Sequence, residues 1–464
     1  MISVSSTRSV WLLAMVLGVT GGLRAQSSPA GEGASEMPLV TRTLPNGLEV
    51  VVFPDHSVPL ITVEMAIKMG SVYETAKDSG LAHLFEHMFF RSNRAVVNNE
   101  EYVRDIGGKG IAYNGSTHEE FSNYYLTGLK EDLPVIMHYL RDAALYPTFD
   151  PDEVANEIEV VLDENDRNKS NLYSQASTRC LALLFPGNPT FKNPAGLASV
   201  LRAATPDRMR AMHERFVVPT NAVLVVTGDC VPAEVFRLAT EYFGAWPRGA
   251  GNPAVPDPGP PPAQSVAEII ESPGVETAII TFAWRGPSVA TDTGATYAAD
   301  VLTHVISQPD SRFQKALVDS GLTTSVGGNY YTQRHIGPIT FILQTTAEKA
   351  RDAVRVFKEE LKKFTAPGYF TDQELENAKA SLAASELFNR EKPTEYAHSL
   401  GFWAAAAGIS YQLGQQQAYR GTNREDIVRY VRRYLQGQPF AAVAVVAPGT
   451  QQGKLLAPED LKQP

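Results

Sequence analysis

The 464-residue sequence has only two cysteines, and it lacks any long basic run or stripe of alternating basic and aromatic residues. Cys180 and Cys230 are too few to define a disulfide scaffold in so long a chain, and their spacing is not that of a zinc site. One disulfide and two separate buried thiols are both compatible with the sequence. The formal net charge of -10 argues against binding to nucleic acid or to an anionic membrane surface.

Long apolar stretches are missing after the first 25 residues, so no later segment is predicted to span a membrane, and no stable membrane insertion is expected. The opening stretch has an arginine, an apolar segment from Val10 to Leu23, and Leu-Arg-Ala before Gln26. This pattern predicts a signal peptide, residues 1–25, that is cleaved near Ala25. The mature protein is therefore expected to be exported, to the periplasm if the source is Gram-negative.

The segment "LAHLFEHMFF", residues 81–90, contains His83, Glu86 and His87 among apolar residues. Residues four apart lie on one face of an α-helix, so both imidazoles can reach one metal ion. Glu86 lies on nearly the same face and can stand beside the metal without binding it. Two imidazoles and a carboxylate are the parts of a hydrolytic zinc centre, here in the inverted order His-x-x-Glu-His. The alternative is an amphipathic helix whose histidines are hydrogen-bonded by neighbouring groups.

A third zinc ligand is expected from a second helix, predicted within "TFDPDEVANEIEVVLDEN". Asp150 is a suitable N-cap, a proline follows it, and Glu153 completes a capping-box pattern. The residues predicted to face the core are Val154, Ile158, Val161 and Leu162. Glu153, Glu157 and Glu164 form a stripe beside that apolar face, and Glu153 is expected in solvent. Periodicity alone does not choose between Glu157 and Glu164 as the ligand.

The two motifs resemble those of the pitrilysin/insulinase peptidases, a family that includes the mitochondrial processing peptidases. The family pattern is His-x-x-Glu-His followed by Glu-x-x-Val-Val-x-x-Glu, and this chain reads "EIEVVLDE" at residues 157–164. The resemblance covers nearly the whole mature chain. It implies one Zn²⁺ per chain on His83, His87 and Glu164. It also implies that Glu86 is the general base and that Glu157 supports the ligands from behind.

The segment "YNGSTHEEFSNYYL" between these motifs resembles the family's substrate-pairing strand, written Asn-Ala-x-Thr before a tyrosine-rich run. The resemblance implies that Asn114, Gly115, Ser116 and Thr117 bind the peptide substrate. A single strand is expected from Asn114 to Leu126, to which an extended peptide adds through main-chain hydrogen bonds. An ordinary strand with a polar outer face is the alternative.

A Pro/Gly-rich stretch of low apolar content, residues 247–264, predicts a linker between two domains. The halves look related, since each opens with a strand, a glycine-containing turn, a loop and a helix. Near their ends, "NAVLVVTGD" (221–229) matches "AAVAVVAPG" (441–449). The predicted fold class is α+β, with two homologous α/β domains, each a largely antiparallel sheet with helices on one face. We place the zinc-bearing domain at 38–246 and its homologue at 265–455.

The second copy is expected to bind no metal. Aligning Gly80 with Gly294 puts Tyr297, Asp300 and Val301 at the positions of the two histidines and the glutamate between them. By resemblance, one half carries the chemistry and the other helps to enclose the substrate.

Active members of the family also use an arginine and a tyrosine from the second type of half, in a run resembling Leu-Arg-Glu-Lys-x-Gly-Leu-Ala-Tyr. This chain reads "ALVDSGLTTS", with Val318 at the Arg position and Thr324 or Ser325 at the Tyr position. It therefore lacks the donors expected to grip substrate and stabilise the oxyanion. In two-chain members, one subunit carries zinc and the other carries this pair. The resemblance implies that this chain is the zinc subunit and that its partner is a homologous zinc-free subunit.

The sequence thus predicts an exported zinc metalloendopeptidase subunit that cleaves peptides or unfolded segments. A non-catalytic binding or assembly subunit of the same family is the first alternative, although the usual sign of lost activity is a broken His-x-x-Glu-His motif. A two-domain α/β protein with a fortuitous motif is the second alternative.

Overall fold

A computed structural model describes residues 39–96, 98–251 and 253–462, and the predicted signal peptide lies outside them. The strands are β1 (Val40–Thr43), β2 (Glu49–Pro54), β3 (Leu60–Ile67), β4 (Ala112–Thr117), β5 (Ser122–Leu129), β6 (Ala222–Gly228), β7 (Val266–Glu271), β8 (Ala278–Arg285), β9 (Ser325–Tyr330), β10 (Pro338–Thr345) and β11 (Ala441–Val446).

The α-helices lie between these strands, most of them in consecutive runs, and one follows the last strand. They are α1 (Leu81–Phe89), α2 (Asn99–Gly107), α3 (Leu133–Leu145), α4 (Pro151–Lys169), α5 (Leu172–Leu184), α6 (Ala198–Leu201), α7 (Pro206–Phe216), α8 (Pro232–Phe243), α9 (Thr293–Ser307), α10 (Arg312–Gln314), α11 (Ala350–Lys363), α12 (Asp372–Asn389), α13 (Pro393–Ala406), α14 (Ile409–Gly421), α15 (Arg424–Tyr434) and α16 (Pro458–Lys462). A π-helical turn, Lys315–Asp319, follows α10 directly.

The strands form two sheets, and the five strands of the second sheet have the same order and directions as five of the six strands of the first. The first has six strands in the order β1-β2-β6-β3-β5-β4, and the second has five in the order β7-β11-β8-β10-β9. In each sheet one pair is parallel, β2 with β6 and β7 with β11, and the other neighbours are antiparallel. The predicted match between 221–229 and 441–449 corresponds to β6 and β11, which occupy equivalent places. The predicted fold class of two homologous α/β units is confirmed.

Each sheet packs its own helices on one face and a helix from the other half on its second face. Helix α5 of the first half lies on β8 and β11, where Cys180 is fully buried. Helix α13 of the second half lies on β3 and β6, where Leu400 is buried in a cluster with Val225. Because of this exchange, the chain from Leu39 onward forms one compact unit.

A buried ion pair joins α13 to the middle of the first sheet. Glu64 on β3 is fully buried, and its Oε2 is paired with Nδ1 of His398 on α13. Burial lowers the pKa of His398, but the hydrogen bond with Glu64 outweighs that effect and raises it. The second oxygen, Oε1, has no hydrogen-bond partner within the described chain and lies against Gly401, where a Cβ would clash with it.

The stretch predicted as a linker forms neither helix nor strand in its described residues. Arg285 on β8 holds it by donating to the main-chain oxygens of Gly259 at 2.8 Å and Pro260 at 3.0 Å. The exact domain bounds remain a prediction. Cys180 and Cys230 are both buried and free, so the alternative of two separate thiols is the one observed. Each helix in the described part of the chain is too short or too polar to cross a bilayer.

The segment predicted as a single strand from Asn114 to Leu126 is a hairpin, so that prediction is wrong. A turn at residues 118–121 joins β4 to β5, and within it the N–H of His118 donates to the oxygen of Phe121 at 2.9 Å. The turn sequence "HEEF" has no glycine, proline or asparagine, so no local signal marks it.

Helix α4 begins as predicted, because the side chain of Asp150 accepts hydrogen bonds from the first turn. The four predicted core residues, Val154, Ile158, Val161 and Leu162, are buried. The expectation that Glu153 completes a capping box in solvent is wrong. Its carboxylate accepts instead from the main-chain N–H of Ser92 at 3.0 Å and from the Ser92 hydroxyl at 2.5 Å. Glu153 therefore closes the loop that follows α1.

We expect Gly401→Ala to destabilise the protein by about 1–3 kcal/mol, because a methyl group there overpacks the contact with the buried Glu64 carboxylate. The matched control is Gly414→Ala in α14, where a Cβ meets no atom within 4 Å. The control is expected to stabilise by about 0.5–1 kcal/mol through helix propensity. Urea unfolding with unchanged m-values measures both, and equal free energies of unfolding for the two variants would contradict this account.

Candidate metal centre

Helix α1 carries both histidines, and a buried carboxylate holds its first turn. Glu74 accepts hydrogen bonds from the main-chain N–H groups of Gly80 at 2.8 Å and Ala82 at 2.7 Å. Burial raises the pKa of Glu74 to about 7, although the N–H donors act in the opposite direction. Gly80 has a φ of 94°, a conformation that favours glycine. These contacts fix the start of α1 immediately before His83.

His83, His87 and Glu164 are brought together by the packing of α1 on α4. The Nε2 atoms of His83 and His87 lie 3.8 and 3.5 Å from Oε2 of Glu164. One ligand atom from each of the three residues lies within 4.8 Å of the others. Tetrahedral zinc stands about 2.0–2.2 Å from such ligands, so the ligands must be about 3.3–3.5 Å from one another. The donor set fits a zinc ion, and the His87–Glu164 distance matches this spacing, while His83 would have to move a few tenths of an ångström closer to Glu164.

Glu157 lies behind the histidines and joins them to a residue that sequence reasoning missed. Its Oε2 lies 3.2 Å from Nδ1 of His87, and its Oε1 lies 2.8 Å from Nη2 of Arg91. When Nδ1–H of a neutral His87 donates a hydrogen bond to Glu157, the lone pair is left on Nε2, the atom that a metal would bind. Arg91 lies two residues beyond the end of α1, so helical spacing does not mark it and no local signal in the sequence could have found it.

The pKa values of His83, His87 and Glu157 shift in different directions, although the three side chains lie close together. Burial lowers the pKa of His83, which favours the neutral imidazole that a metal requires. Burial acts in the same direction on His87, but hydrogen bonds with Glu157 and Glu164 outweigh it and raise the pKa of His87 to about 9. Burial alone would raise the pKa of Glu157, but the hydrogen bond with His87 and the charge of Arg91 hold it below its usual value. Metal and proton therefore compete for His87.

The Glu86 side chain extends from α1 toward the edge strand β4. A Cβ at Gly115 on β4 would lie 3.1 Å from Cγ of Glu86 and 3.1 Å from Cδ1 of Tyr124. Tyr124 is paired with Gly115 in the neighbouring strand and stacks on Phe89, with ring centroids 3.6 Å apart. The missing side chain at position 115 thus leaves space for the Glu86 side chain beside the metal ligands.

The four residues predicted to bind substrate all lie on β4, at one edge of the first sheet. The Asn114 side chain is hydrogen-bonded to Tyr125. The hydroxyl of Ser116 donates to Asn123, and that of Thr117 donates to the main-chain oxygen of Ala82 at 3.4 Å. The Thr117 contact joins β4 to the residue before His83, so it fixes the position of the strand relative to the candidate metal ligands.

The second half places different side chains where the first has its candidate ligands. Val301 on α9 is fully buried in the apolar core. Tyr297 stacks on Tyr411, with ring centroids 4.8 Å apart, and Asp300 accepts a hydrogen bond from the Tyr419 hydroxyl at 2.9 Å. These residues pack the interior of the second half.

The residues at the family's Arg and Tyr positions contact other parts of this chain. Val318 is partly buried against the core of the second half. The hydroxyls of Thr324 and Ser325 donate to the main-chain and side-chain oxygens of Gln344, at 3.2 and 3.3 Å. Tyr173 on α5 donates to the same side-chain oxygen at 2.9 Å.

Two family models match this chain. Residues 50–188 match the model described as Insulinase (Peptidase family M16), and residues 203–382 match the model described as Peptidase M16 inactive domain. Together the two models cover more than half of the chain. The chain belongs to the pitrilysin/insulinase family. The first match contains all of His83, Glu86, His87 and Glu164.

Relatives in this M16 family include proteins named zinc proteases. Zinc protease PqqE of Helicobacter pylori is 24% identical over 405 residues, which cover 84% of this chain and 89% of the relative. An uncharacterized zinc protease of Mycobacterium bovis is 26% identical over 446 residues, which cover 94% of this chain and 98% of the relative.

Solved structures of similar proteins share the fold. A protease from Helicobacter pylori has a TM-score of 0.77 at 22% identity, and the match covers 88% of this chain and 99% of that chain. The periplasmic protease PqqL from Escherichia coli has a TM-score of 0.74 at 18% identity, and the match covers 93% of this chain but 50% of that chain. PqqL is therefore about twice as long as the unit that it shares with this chain.

We expect Arg91→Met to weaken zinc binding by about 10- to 100-fold, as losses behind metal ligands typically do. The variant keeps the length of the side chain but removes the charge that holds Glu157 against His87. Arg94→Met is the control, since Arg94 pairs with Asp142 instead, at 2.9 Å. Competition with a coloured chelator measures both affinities, and wild-type affinity in Arg91→Met would show that Glu157 holds His87 without help.

Proposed function

We propose that this chain is the zinc-bearing subunit of an exported metalloendopeptidase. The observation that carries the proposal is the convergence of His83, His87 and Glu164, with Glu86 beside them and an open strand edge next to Glu86. Two imidazoles and one carboxylate form the ligand set of a hydrolytic zinc site, with a position left for water. The names of the relatives, which are zinc proteases, point to the same chemistry.

In the proposed mechanism, Glu86 accepts a proton from the attacking water and later donates it to the leaving amine. His83, His87 and Glu164 would hold the metal, while Glu157 and Arg91 orient His87. A bound zinc ion would supply Lewis acidity, which lowers the pKa of water and polarises a carbonyl.

The substrate in this proposal is an extended peptide or an unfolded segment. It would add to β4 as a further strand, through the main-chain groups of residues 114–117. Main-chain pairing tolerates varied side chains, which suits a peptidase of broad specificity. The neighbouring Glu86, close to Gly115, would then face the peptide bond to be cleaved.

Export to the periplasm is part of the proposal. It is supported by the leader-like sequence ending near Ala25 and by the periplasmic origin stated for PqqL. The natural substrate would therefore be a peptide of the periplasm, either an exported peptide or a product of protein degradation there.

A homologous partner is the remaining part of the proposal. Val318, Thr324 and Ser325 replace the family's Arg/Tyr pair, and the nearby Arg312 is already paired with Glu360 at 3.3 Å. PqqL is about twice as long as the unit that it shares with this chain, so it is long enough to hold a second such unit in one chain. We infer that a zinc-free homologue supplies the missing donors to the zinc-bearing chain.

A non-catalytic binding or assembly subunit is the alternative function. It is favoured by the missing Arg/Tyr pair and by the likeness to a solved structure described as a peptidase M16 inactive domain from Pseudomonas fluorescens. This alternative requires that the chain bind zinc but cleave no peptide, whether or not a partner is present.

We expect one zinc per chain, and we expect His83→Ala, His87→Ala and Glu164→Ala each to abolish tight binding. Metal analysis of purified protein measures this, with Glu159→Ala, an exposed acid of the same α4 helix, as the control. Full zinc occupancy in Glu164→Ala would mean that Glu157 is the third ligand.

Glu86→Gln is expected to yield a folded, zinc-loaded and inactive protein, because it keeps the shape of the side chain and removes the proton acceptor. Circular dichroism, metal analysis and peptide cleavage test the three parts of this statement separately. Substantial cleavage by the variant would refute the assignment of Glu86 as the general base.

The isolated, zinc-loaded chain is expected to cleave a mixed peptide library about 100- to 1,000-fold more slowly than the chain with its partner, since one missing oxyanion donor typically costs that much. The candidate partner is a homologue with the Arg/Tyr run and no zinc motif. Combining it with the Glu86→Gln chain is the control for activity brought by the partner itself. Fast turnover by the isolated chain, unchanged by the partner, would place the donors elsewhere in this chain.

A further inference from the structure

The turn of the β4–β5 hairpin is anchored in the second half of the chain through Glu120. Its Oε2 accepts the main-chain N–H of Arg334 at 2.6 Å, and its Oε1 accepts that of His335 at 2.6 Å. Glu120 is only 5% exposed. Charge-assisted bonds from two consecutive amides to the two oxygens of one carboxylate determine its orientation as well as its position.

Neighbouring side chains strengthen this anchor. Glu119 accepts a hydrogen bond from the side chain of Gln333 at 3.1 Å. The buried ammonium of Lys192 donates to the main-chain oxygen of His335 at 2.8 Å and to the side-chain oxygen of Gln333. The receiving loop is itself held, because the N–H of Val289 donates to the oxygen of Gln333 at 3.0 Å. The turn thus meets a loop that offers hydrogen-bond donors to both of its carboxylates and that is itself hydrogen-bonded to Lys192 and Val289.

The first half closes on the turn from the other side. The N–H of Val72 donates to the main-chain oxygen of Glu119 at 2.9 Å. Gly70 passes so close that a Cβ there would lie 2.6 Å from that same oxygen. The turn is therefore enclosed between Gly70 of the first half and the loop at residues 333–335 of the second.

A second contact reaches the same hairpin from α13. The His398 ring packs on Asn123 of β5, with Nδ1 3.2 Å from Nδ2, and Asn123 accepts from the hydroxyl of Ser116 on β4. Phe402 of α13 packs edge-on against Phe121 of the turn, with ring centroids 5.6 Å apart. Both anchors of the hairpin, α13 and residues 333–335, belong to the second half, which carries none of the candidate metal ligands.

We propose that Glu120 is a positioning residue for substrate, because it fixes the β4–β5 hairpin to the second half and thereby holds β4 over Glu86. This inference rests on the proposed function, in which β4 pairs with the peptide. Glu86 and Gly115 are already in close contact, so a small shift of β4 changes the distance between the bound peptide and the base. A hairpin released from this anchor must also be ordered again each time a peptide pairs with β4, and that ordering cost weakens peptide binding and raises KM.

The test compares Glu120→Ala and Glu120→Gln in the full-length, zinc-loaded chain, with the partner present if wild type requires it. Glu131→Gln is the control, since Glu131 is an exposed acid just beyond the other end of β5. The peptide KM of Glu120→Ala is expected to rise by about 10- to 100-fold, with kcat changed less. The Gln variant, which keeps one acceptor oxygen, is expected to show a smaller rise. Zinc affinity is expected to stay within about twofold of wild type, because no metal ligand is touched.

Hydrogen exchange separates positioning from a general loss of stability. Amides of residues 112–129 are expected to exchange faster in the Glu120 variants, while those of β6 remain as protected as in wild type. A folded, zinc-loaded Glu120→Ala with unchanged KM would overturn the inference, and unchanged exchange of residues 112–129 would show that Glu120 does not hold the hairpin. If that variant does not fold, the same two readouts in Glu120→Gln decide.

The failure of this inference is distinguishable from failure of the proposed function. If wild type cleaves no peptide with or without its partner, the proposed function fails, and the exchange of residues 112–129 then decides whether Glu120 holds the hairpin. If wild type cleaves peptides and Glu120→Ala cleaves them with wild-type KM, the proposed function stands and the positioning role is refuted.

Discussion

The exchange of helices between the two halves is the constraint on which the rest of the structure depends. Strands β3, β6, β8 and β11 carry buried side chains on both faces, as strands covered on both sides do. Because α13 covers the first sheet and α5 covers the second, neither sheet is fully buried by its own half alone. The buried pair of Glu64 and His398 adds a specific contact to this apolar packing, since an uncompensated charge there would cost about 3–5 kcal/mol.

Local periodicity in the sequence predicted part of the candidate metal site. Helical spacing placed His83 and His87 on one face, and the N-cap at Asp150 placed the start of α4. It did not choose between Glu157 and Glu164, because both lie on one stripe of α4. The choice depends on which turn of α4 lies opposite the Nε2 atoms, and the packing of α1 on α4 determines that. The resemblance to a family supplied what periodicity lacked.

The hairpin shows where sequence reasoning fails for a physical reason. Residues 118–121 contain no residue that favours a turn, so a continuous strand was the natural expectation. The chain reverses there because tertiary contacts hold it, with Gly70 on one side and the amides of residues 334 and 335 on the other. A turn that depends on distant parts of the chain leaves no local pattern. Glu120, the residue that anchors it, likewise looks like an ordinary surface acid in the sequence.

The two halves show that surroundings, and not residue type alone, decide what a carboxylate at one helical position does. Asp300 occupies in α9 the place that Glu86 has in α1. Burial raises the pKa of Asp300 to about 7, although the Tyr419 hydroxyl that donates to it acts in the opposite direction. This carboxyl bonds a tyrosine, and the aligned positions beside it carry Tyr297 and Val301 in place of histidines. Glu86 instead adjoins a strand edge and two imidazoles, where an acceptor for a proton has a reactant to act on. The same fold thus holds a structural acid in one half and a candidate base in the other, and the second half contributes by holding the hairpin that the first half uses.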